Sequence, residues 1–569
     1  MNQMIIPIKV EGASRQRKRE APKGRQVDPA ALAQVQALLG EAPRNADLLI
    51  EHLHKVQDHY GCLSAGHLAA LAFDMKLAQA EVYEVASFYH HFDIVKEGGV
   101  APAALTVRVC DGLSCEMAGA GDLLARLPAI LGRDVRVIAA PCIGRCEQAP
   151  AAVVGQNPVP FASIEAIAAR VEAKAVSHDV TLAASSFIDY SAYRTDGGYQ
   201  LLQTCVGPAG DVEAIIKAME DSGLRGLGGA GFPAGRKWRI VRGEAGPRLM
   251  AINIDEGEPG TFKDRTYLER DPHRFIEGAL IAAWAVGIET IYIYLRDEYH
   301  GCRAILEAEL ARLRADPPMA NMPEIILRRG AGAYICGEES AMIESIEGKR
   351  GMPRLRPPYV AQVGLFGRPT LEHNFETLHW VREIVEKSGA WFSSFGRNGR
   401  KGLRSFSVSG RVRQPGVKLA PAGITLQQLI DEHCGGMAEG QTLYGYLPGG
   451  ASGGILPASM NNIPLDFDTL QPYGCFIGSA AVIVLSERDT AVNAARNMMH
   501  FFQHESCGQC TPCRVGTAKT GALIASAQWD LPLLADLSQV MRDASICGLG
   551  QAAPNPVDCV IKYFPHELG

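Results

Sequence analysis

The stretch GLRGLGGAGFP, residues 223–233, contains the spacing G-x-G-x-x-G at Gly226, Gly228 and Gly231. Such loops hold phosphate groups because bare glycines expose their backbone N–H groups. In a Rossmann fold the glycines follow a strand and open a helix. Here the preceding segment, DVEAIIKAMEDSG, has apolar residues at helical spacing. The order of the elements therefore argues against a Rossmann fold, whereas the loop still predicts a phosphate site.

Two charged residues after the loop help to decide what it binds and to which fold it belongs. Lys237, in GRKW, adds a positive charge that suits a phosphate. Asp255 follows the predicted strand RLMAINI, about where a Rossmann fold places its ribose-binding acid. The helix before the glycine loop is the stronger signal, so the position of Asp255 does not change the prediction that this is not a Rossmann fold.

Four cysteines in the first third of the chain form the pattern C-x4-C, 26 intervening residues, then C-x3-C. They are Cys110, Cys115, Cys142 and Cys146, and each pair follows a predicted strand. Four thiolates suit either a [2Fe–2S] cluster or zinc. The spacings are longer than the C-x2-C knuckles of structural zinc sites, so they favour iron–sulfur.

A second cysteine group lies near the end of the chain, in ESCGQCTPC. Cys507, Cys510 and Cys513 have C-x2-C-x2-C spacing, which brings three thiolates to one face of a [4Fe–4S] cluster. Cys547 is the preferred fourth ligand; Cys559 is the alternative, but it lies in an apolar stretch without a turn residue. A zinc site formed by the same cysteines is the alternative interpretation. Because neither cluster type accepts a hydride, a flavin is expected to link them to two-electron chemistry.

Composition narrows the functional classes. The chain has 569 residues, a net charge of −6 and 47% hydrophobic residues, so several domains are expected and nucleic acid is not the expected partner. The apolar run 278–295 is interrupted by Glu289 and split by Gly287, which predicts a buried helix and strand rather than a membrane span. The first ten residues do not have the pattern of a signal peptide, so a cytoplasmic location is predicted.

Four motifs together resemble the NADH-oxidising flavoprotein subunit of respiratory complex I and the related diaphorase subunits of formate dehydrogenases and NAD-reducing hydrogenases. They are GLRGLGGAGFPAGRKW, NIDEGEPGTFKDR, GAGAYICGEESAMIESIEGKRGMPR and ESCGQCTPCRVGT. Residues 30–175 resemble the small thioredoxin-like [2Fe–2S] subunit that accompanies that flavoprotein. Both modules are fused here in one polypeptide.

The resemblance implies a multidomain α/β protein. The expected units are a basic N-terminal arm (1–28), a helical bundle (29–100), a thioredoxin-like [2Fe–2S] domain (101–178), a linker (179–205), an FMN- and NAD-binding α/β domain (206–395), a small β-rich, β-grasp- or ubiquitin-like domain (396–487) and a helical [4Fe–4S] domain (488–569).

The resemblance also implies the cofactors FMN, NAD, [2Fe–2S] and [4Fe–4S]. The flavin carries the hydride chemistry, so no catalytic side chain is expected, and Glu258 lines the site. A dense acid cluster would disfavour a 2′-phosphate, which favours NAD over NADP; Glu338 and Glu339 alone could instead cap a helix. The implied cofactor-binding residues are Gly226, Gly228, Gly229, Gly231, Phe232, Lys237, Asn253, Asp255, Glu258, Tyr334, Gly337, Glu338, Glu339, Tyr359, Asn374 and Thr377.

The fused layout and the basic arm best resemble the β subunit of an NAD-dependent formate dehydrogenase. Its partner would be a catalytic α subunit with a molybdenum or tungsten pterin and further iron–sulfur clusters. A hydrogenase diaphorase and a fused NADH-binding subunit of complex I are the alternatives. A non-catalytic electron-relay or scaffold subunit with a decayed flavin site is the alternative from another class, against which the glycines, Lys237 and the acid cluster argue.

Overall fold

The computed structural model describes residues 25–176 and 187–568. The predicted basic N-terminal arm, residues 1–28, therefore lies almost wholly outside the described residues. After it come four helices, as predicted, and Ser64 caps the third by accepting a hydrogen bond from the backbone N–H of His67, at 3.1 Å. The elements of this bundle are α1 Pro29–Leu39, α2 Leu49–Tyr60, α3 Ala65–Asp74, α4 Gln79–Phe88 and the parallel pair β1 Leu63–Ser64 and β2 Ile94–Val95.

A small α/β unit follows, and the predicted strand before each cysteine pair is confirmed. Its four-stranded sheet has the order β4-β3-β5-β6, with β3 and β4 parallel and the other two pairs antiparallel. The first cysteine pair begins at the carboxyl end of β3, and the second pair follows β4. The elements are β3 Leu105–Cys110, β4 Val135–Ala140, β5 Ala152–Val154, β6 Asn157–Val159, α5 Leu113–Met117, α6 Ala120–Leu131 and α7 Ile164–Glu172.

The described part of the predicted linker differs from the expectation. Two short helices, α8 Tyr190–Thr195 and α9 Gln200–Val206, lie where the sequence predicts a connection without structure. The Tyr193 hydroxyl donates to Glu277 at 2.6 Å, and the Tyr199 hydroxyl lies 2.8 Å from Nδ1 of His273. Because these buried tyrosines pack on the helix that carries Glu277 and His273, the segment belongs to the next domain rather than to a free connection.

The large α/β domain has a parallel sheet in the order β10-β7-β8-β9. The apolar run forms a helix and a strand, as predicted, and Gly287 ends the helix with φ 77°, which favours glycine. The elements are β7 Arg248–Ile254, β8 Ile288–Leu295, β9 Glu324–Arg329, β10 Thr370–Asn374, α10 Val212–Ser222, α11 Ala234–Gly243, α12 Lys263–Leu268, α13 Pro272–Val286, α14 His300–Ala315, α15 Glu339–Ile346, α16 Phe375–His379, α17 Val381–Lys387 and α18 Gly389–Ser393.

The last two units are a β-rich domain and a helical one. A five-stranded mixed sheet has the order β12-β11-β15-β13-β14. Among the described residues, no helix is both long and apolar enough to cross a membrane. The elements are β11 Leu403–Gly410, β12 Gly416–Pro421, β13 Leu443–Leu447, β14 Leu456–Pro457, β15 Ala481–Ser486, α19 Leu426–His433, α20 Ala491–Glu505, α21 Thr511–Ile524, α22 Leu531–Ala544, α23 Gly548–Ala552 and α24 Asn555–Tyr563.

Candidate functional site

The glycine loop lies between α10 and α11, at the carboxyl edge of the parallel sheet. The backbone N–H of Gly226 donates to the carbonyl of Phe232 at 2.8 Å, which closes the loop on itself. The N–H of Leu227 donates to the Thr377 hydroxyl at 3.0 Å. A Cβ on Gly228 would lie 3.0 Å from the Cβ of Asn374, the last residue of β10. The helix before the loop confirms that this is not a Rossmann arrangement, yet the carboxyl edge of a parallel sheet is where such folds bind ligands.

Two more glycines shape the same loop. Gly229 and Gly231 have φ values of 127° and 66°, which side-chain-bearing residues rarely adopt. A Cβ on Gly231 would also lie 2.7 Å from the ring of Phe467. The loop conformation therefore requires glycine at these two positions.

Lys237, in the first turn of α11, points toward β10. Its Nζ donates to the carbonyl oxygen and to the carboxylate of Glu372, at 3.0 and 3.1 Å. The Lys237 side chain is one-fifth exposed. The half-buried Glu372 therefore holds this cation beside the glycine loop.

Asn253 and Asp255 lie at the end of β7, the neighbour of β10. The Asn253 amide donates to the carbonyl of Gly337 at 2.8 Å and accepts from the backbone N–H of Asp255 at 3.0 Å. Burial raises the pKa of Asp255 well above its ordinary value. The two ends of the predicted site, 253–255 and 334–339, are thus in direct contact.

Glu258 is held by three hydrogen bonds. It accepts from the Tyr334 hydroxyl, from the backbone N–H of Ser452 at 2.8 Å and from the Ser452 hydroxyl at 3.3 Å. Burial raises the pKa of Glu258, and these hydrogen bonds oppose the rise. Tyr334 in turn donates its backbone N–H to Glu505 at 2.9 Å, which joins this acid to the helix before the second cysteine group.

Glu338 and Glu339 both have polar partners within the chain, so they do not form a cluster of unpaired carboxylates. Glu338 caps α15 by accepting from the N–H groups of Ser340 and Ala341, at 2.9 and 3.0 Å, so the helix-cap reading applies to it. Arg356 contacts both glutamates and lies 2.9 Å from Glu339. Burial raises the pKa of Glu339, and the nearby Glu372 adds to this effect.

Two aromatic rings offer flat faces at the edge of the site. Phe232 is 39% exposed and Tyr359 is 56% exposed. Exposed rings of this size can stack on a planar heterocycle.

The first cysteine group forms one compact cluster of thiols. The sulfur atoms of Cys142 and Cys146 are 3.3 Å apart, and the neighbouring thiols of Cys115 and Cys142 raise the pKa of Cys110 well above its ordinary value. Hydrogen bonds with Cys110 and Cys146 hold the pKa of Cys142 well below its usual range. All four side chains are buried. Four converging sulfur donors fit a small iron–sulfur cluster.

The second group lies where two helices begin. Cys510 precedes α21, Cys513 is in its first turn and Cys547 precedes α23. Burial raises the pKa of Cys547 to about 12; the neighbouring Cys507 contributes to this rise, and backbone hydrogen bonds from Gly550 and Leu549 oppose it. A Cβ on Gly550 of α23 would lie 2.8 Å from the Cβ of Cys513, so the two helix starts are packed together.

The alternative fourth ligand has another neighbour. Cys559 lies within α24, and its sulfur is 3.5 Å from that of Cys475, which precedes β15. The seven cysteines outside the two groups are all buried.

Several buried charges behind the site were missed by the sequence reasoning. Lys263 is 1% exposed and lies 2.6 Å from Asp264 and 3.2 Å from Glu376. Burial raises the pKa of Glu256 to about 7. The signal was present in the quoted motif NIDEGEPGTFKDR, where charged residues flank a buried strand, but sequence alone does not show that they are buried.

Comparison with known protein families gives four matches along the chain. The Nuo51 FMN-binding domain matches residues 219–383, the NADH-ubiquinone oxidoreductase-F iron-sulfur binding region 493–569, the thioredoxin-like [2Fe-2S] ferredoxin 35–174 and the SLBB domain 405–456. The chain is therefore an iron–sulfur flavoprotein, with an FMN-binding domain, a [2Fe–2S] domain and a [4Fe–4S] region.

Relatives aligned over most of their own length define the family. The chain is 42% identical over 372 residues to NADH dehydrogenase [ubiquinone] flavoprotein 1 of Dictyostelium discoideum, an alignment that covers 62% of this chain and 78% of that protein. It is 40% identical over 374 residues to the NADH-ubiquinone oxidoreductase 51 kDa subunit of Neurospora crassa, covering 62% and 76%. The chain belongs to the family of these NADH dehydrogenase flavoproteins, which is a family of oxidoreductase subunits.

One solved structure matches both modules together. A chain in the crystal structure of the NAD+-reducing [NiFe]-hydrogenase in the H2-reduced state superposes with a TM-score of 0.80 and 34% identity. The match covers 92% of this chain and 93% of that chain. The fused arrangement is therefore shared with that protein.

Proposed function

We propose that this chain is a diaphorase subunit that moves a hydride between NAD(H) and FMN and single electrons between FMN and a partner subunit. The observation that carries the proposal is the presence, in one chain, of a glycine loop at the carboxyl edge of a parallel sheet and of two separate four-cysteine groups. When bound, FMN accepts a hydride and releases electrons singly. The chain's residues bind, orient and shield the reactants.

The proposed flavin site combines the glycine loop with the ends of β7 and β10. Backbone N–H groups of the loop and the Lys237 ammonium suit the phosphate, because both offer positive charge at a short distance. The amides at the two strand ends suit the polar edge of the ring. The residues assigned to FMN are Gly226, Gly228, Gly229, Gly231, Lys237, Asn253, Asp255, Asn374 and Thr377.

The proposed nicotinamide site adjoins the flavin site through the hydrogen bond between Asn253 and Gly337. Carboxylates accept hydrogen bonds from ribose hydroxyls and repel a 2′-phosphate, which favours NAD over NADP. Arg356 offsets part of this negative charge. The discrimination against NADP is therefore expected mainly from Glu258 and from the carboxylates that have no cationic partner when the dinucleotide binds. The residues assigned to NAD are Phe232, Glu258, Tyr334, Gly337, Glu338, Glu339 and Tyr359.

The proposed cluster ligands follow the two thiol groups. Cys507, Cys510, Cys513 and Cys547 hold [4Fe–4S]; Cys110, Cys115, Cys142 and Cys146 hold [2Fe–2S]. The backbone contact between Tyr334 and Glu505 connects the proposed NAD site to the helix before Cys507. We therefore assign [4Fe–4S] as the first acceptor after the flavin.

The reconstituted chain is expected to oxidise NADH with an artificial acceptor such as ferricyanide. This test separates the diaphorase from the relay or scaffold alternative, because a decayed flavin site would leave the clusters intact without activity. Protein that holds stoichiometric FMN and both clusters but does not oxidise NADH would contradict the proposal.

For the partner, we propose a catalytic α subunit with a molybdenum or tungsten pterin and further iron–sulfur clusters, so that the assembly performs NAD-linked formate oxidation or CO2 reduction in the cytoplasm. The support is the fused two-module layout together with the basic N-terminal arm. A hydrogenase diaphorase is the second candidate, and it is favoured by the match along nearly the whole of the hydrogenase chain.

Metal analysis of the complex purified through this chain distinguishes the partners. Molybdenum or tungsten with formate-dependent NAD+ reduction supports the first proposal. Nickel with hydrogen-dependent NAD+ reduction supports the hydrogenase, and co-purifying membrane subunits support complex I.

A further inference from the structure

The loop CIGRC, residues 142–146, brings the first cysteine group against the flavin domain. Gly144 has φ 71°, and a Cβ there would lie 2.2 Å from the Tyr299 hydroxyl oxygen. The loop therefore needs glycine for its backbone conformation and for its close approach to the neighbouring domain. Phe262 of the flavin domain packs directly against Cys142 and Cys146.

Two buried arginines of the flavin domain hold the backbone of this loop. Arg296 Nη2 donates to the carbonyl of Cys142 at 2.8 Å, and Arg265 Nε donates to the carbonyl of Gly144 at 2.9 Å. Their exposed fractions are 5% and 3%. A buried guanidinium is costly unless its donors are satisfied, so these contacts fix the position of the loop.

The charge of Arg296 is only partly balanced. Its Nε donates to Glu298 at 3.0 Å, and Glu298 is one-quarter exposed, so solvent screens that carboxylate more than it screens the arginine. Its Nη1 donates to the backbone carbonyl of Glu256, which carries no formal charge. Arg296 is thus a buried cation next to the backbone of a cysteine of the first group. Its nearby acids are the partly screened Glu298 and Asp255, and burial raises the pKa of Asp255 well above its ordinary value.

We propose that Arg296 sets the reduction potential of the [2Fe–2S] centre and, with Arg265, positions the loop 142–146 against the flavin domain. This inference rests on the proposed function, because it takes Cys142 and Cys146 as cluster ligands. Reduction adds one negative charge to the centre, and a nearby buried cation favours the more negative state. The flavin domain thereby raises the potential of a cluster that lies in another domain.

The test is a potentiometric titration of the cofactor-loaded full chain, followed by electron paramagnetic resonance. Arg296→Gln is expected to lower the reduced-to-oxidised ratio of [2Fe–2S] about tenfold at a fixed potential, a shift of about 59 mV for a one-electron couple. Arg296→Lys keeps the charge and is expected to retain most of the potential. The [4Fe–4S] signal in the same sample is the internal reference and is expected not to move.

Two further variants keep the inference testable if Arg296→Gln does not fold. Glu298→Gln removes the screening carboxylate at a partly exposed position and is expected to raise the [2Fe–2S] potential. Arg274→Gln is the matched control: Arg274 belongs to the same domain and pairs with Glu383 at 2.7 Å. It removes one positive charge away from the loop and is expected to leave both potentials unchanged.

The outcomes separate the inference from the proposed function. An unchanged [2Fe–2S] potential in both Arg296→Gln and Glu298→Gln, or equal shifts in Arg296→Gln and Arg274→Gln, would overturn the role of Arg296. A parent chain that shows no [2Fe–2S] signal at all would instead overturn the ligand assignment on which the inference depends.

Discussion

Replacement of Lys237 by alanine tests whether the glycine loop and its cation hold the flavin phosphate. In the structure the Lys237 ammonium has its carboxylate partner, Glu372, at 3.1 Å. Glu372 is 12% exposed in its side chain, so the lysine neutralises a nearly buried charge. The substitution removes a cation from the phosphate site and leaves that acid unpaired beside it.

The expected loss follows from the strength of a charge-assisted hydrogen bond. Such a bond contributes about 1.5–3 kcal/mol, which corresponds to roughly 10- to 140-fold weaker FMN binding. The unpaired Glu372 adds repulsion toward the phosphate, so the effect is expected at the upper end of this range. The double variant Lys237→Ala/Glu372→Gln removes that repulsion and is expected to recover part of the affinity.

Quenching of FMN fluorescence during titration of the deflavinated chain measures the affinity. Lys217→Ala is the matched control, because Lys217 lies on the exposed surface of α10 and pairs with Asp221 at 2.9 Å. The control is expected to bind FMN as the parent does. Equal affinities of the parent and Lys237→Ala would refute the assignment of this lysine to the phosphate.

Four further substitutions test the loop and the two clusters. Gly228→Val adds a branched side chain where even a Cβ would lie 3.0 Å from the Cβ of Asn374. This variant is expected to lose the flavin and to keep both clusters. Flavin retained at full stoichiometry would contradict the assignment of the loop. Cys547→Ser is expected to abolish the [4Fe–4S] signal, whereas Cys559→Ser, the buried partner of Cys475, is expected to preserve it; the reverse result would reassign the fourth ligand. Cys146→Ser is expected to remove only the [2Fe–2S] signal and to leave partner-linked turnover partly intact, and loss of both signals would show that the clusters do not assemble independently.

Much of the fold could be predicted because its signals are local. The helix before the glycine loop follows from apolar spacing in 212–219, and the helix-to-strand change in 278–295 follows from Gly287 and from the β-branched residues after it. The cysteine spacings likewise indicate four-thiol groups without any tertiary information. Local patterns of this kind depend only on residues close in the chain.

The features that were missed depend on contacts between distant segments. The tyrosines of 190–206 pack on α13, so a stretch that resembles a linker becomes helical. The Arg296 contact with the Cys142 carbonyl joins residues 154 positions apart, and no pattern in either segment predicts it. Helix capping was one alternative predicted for Glu338 and Glu339, but only the start of α15 shows that Glu338 is the capping residue.

The central claim is that this one chain passes electrons from NADH through a flavin to its iron–sulfur clusters. Anaerobic mixing of the cofactor-loaded chain with NADH, followed by flavin absorption and by electron paramagnetic resonance of rapidly frozen samples, tests it directly, with Cys513→Ser as the comparison. We expect NADH to bleach the flavin in both proteins, NADPH to do so far more slowly, and the reduced [4Fe–4S] signal to develop only in the parent. A flavin that stays oxidised in the presence of NADH, or a [4Fe–4S] centre that is reduced without FMN in the site, would contradict the account.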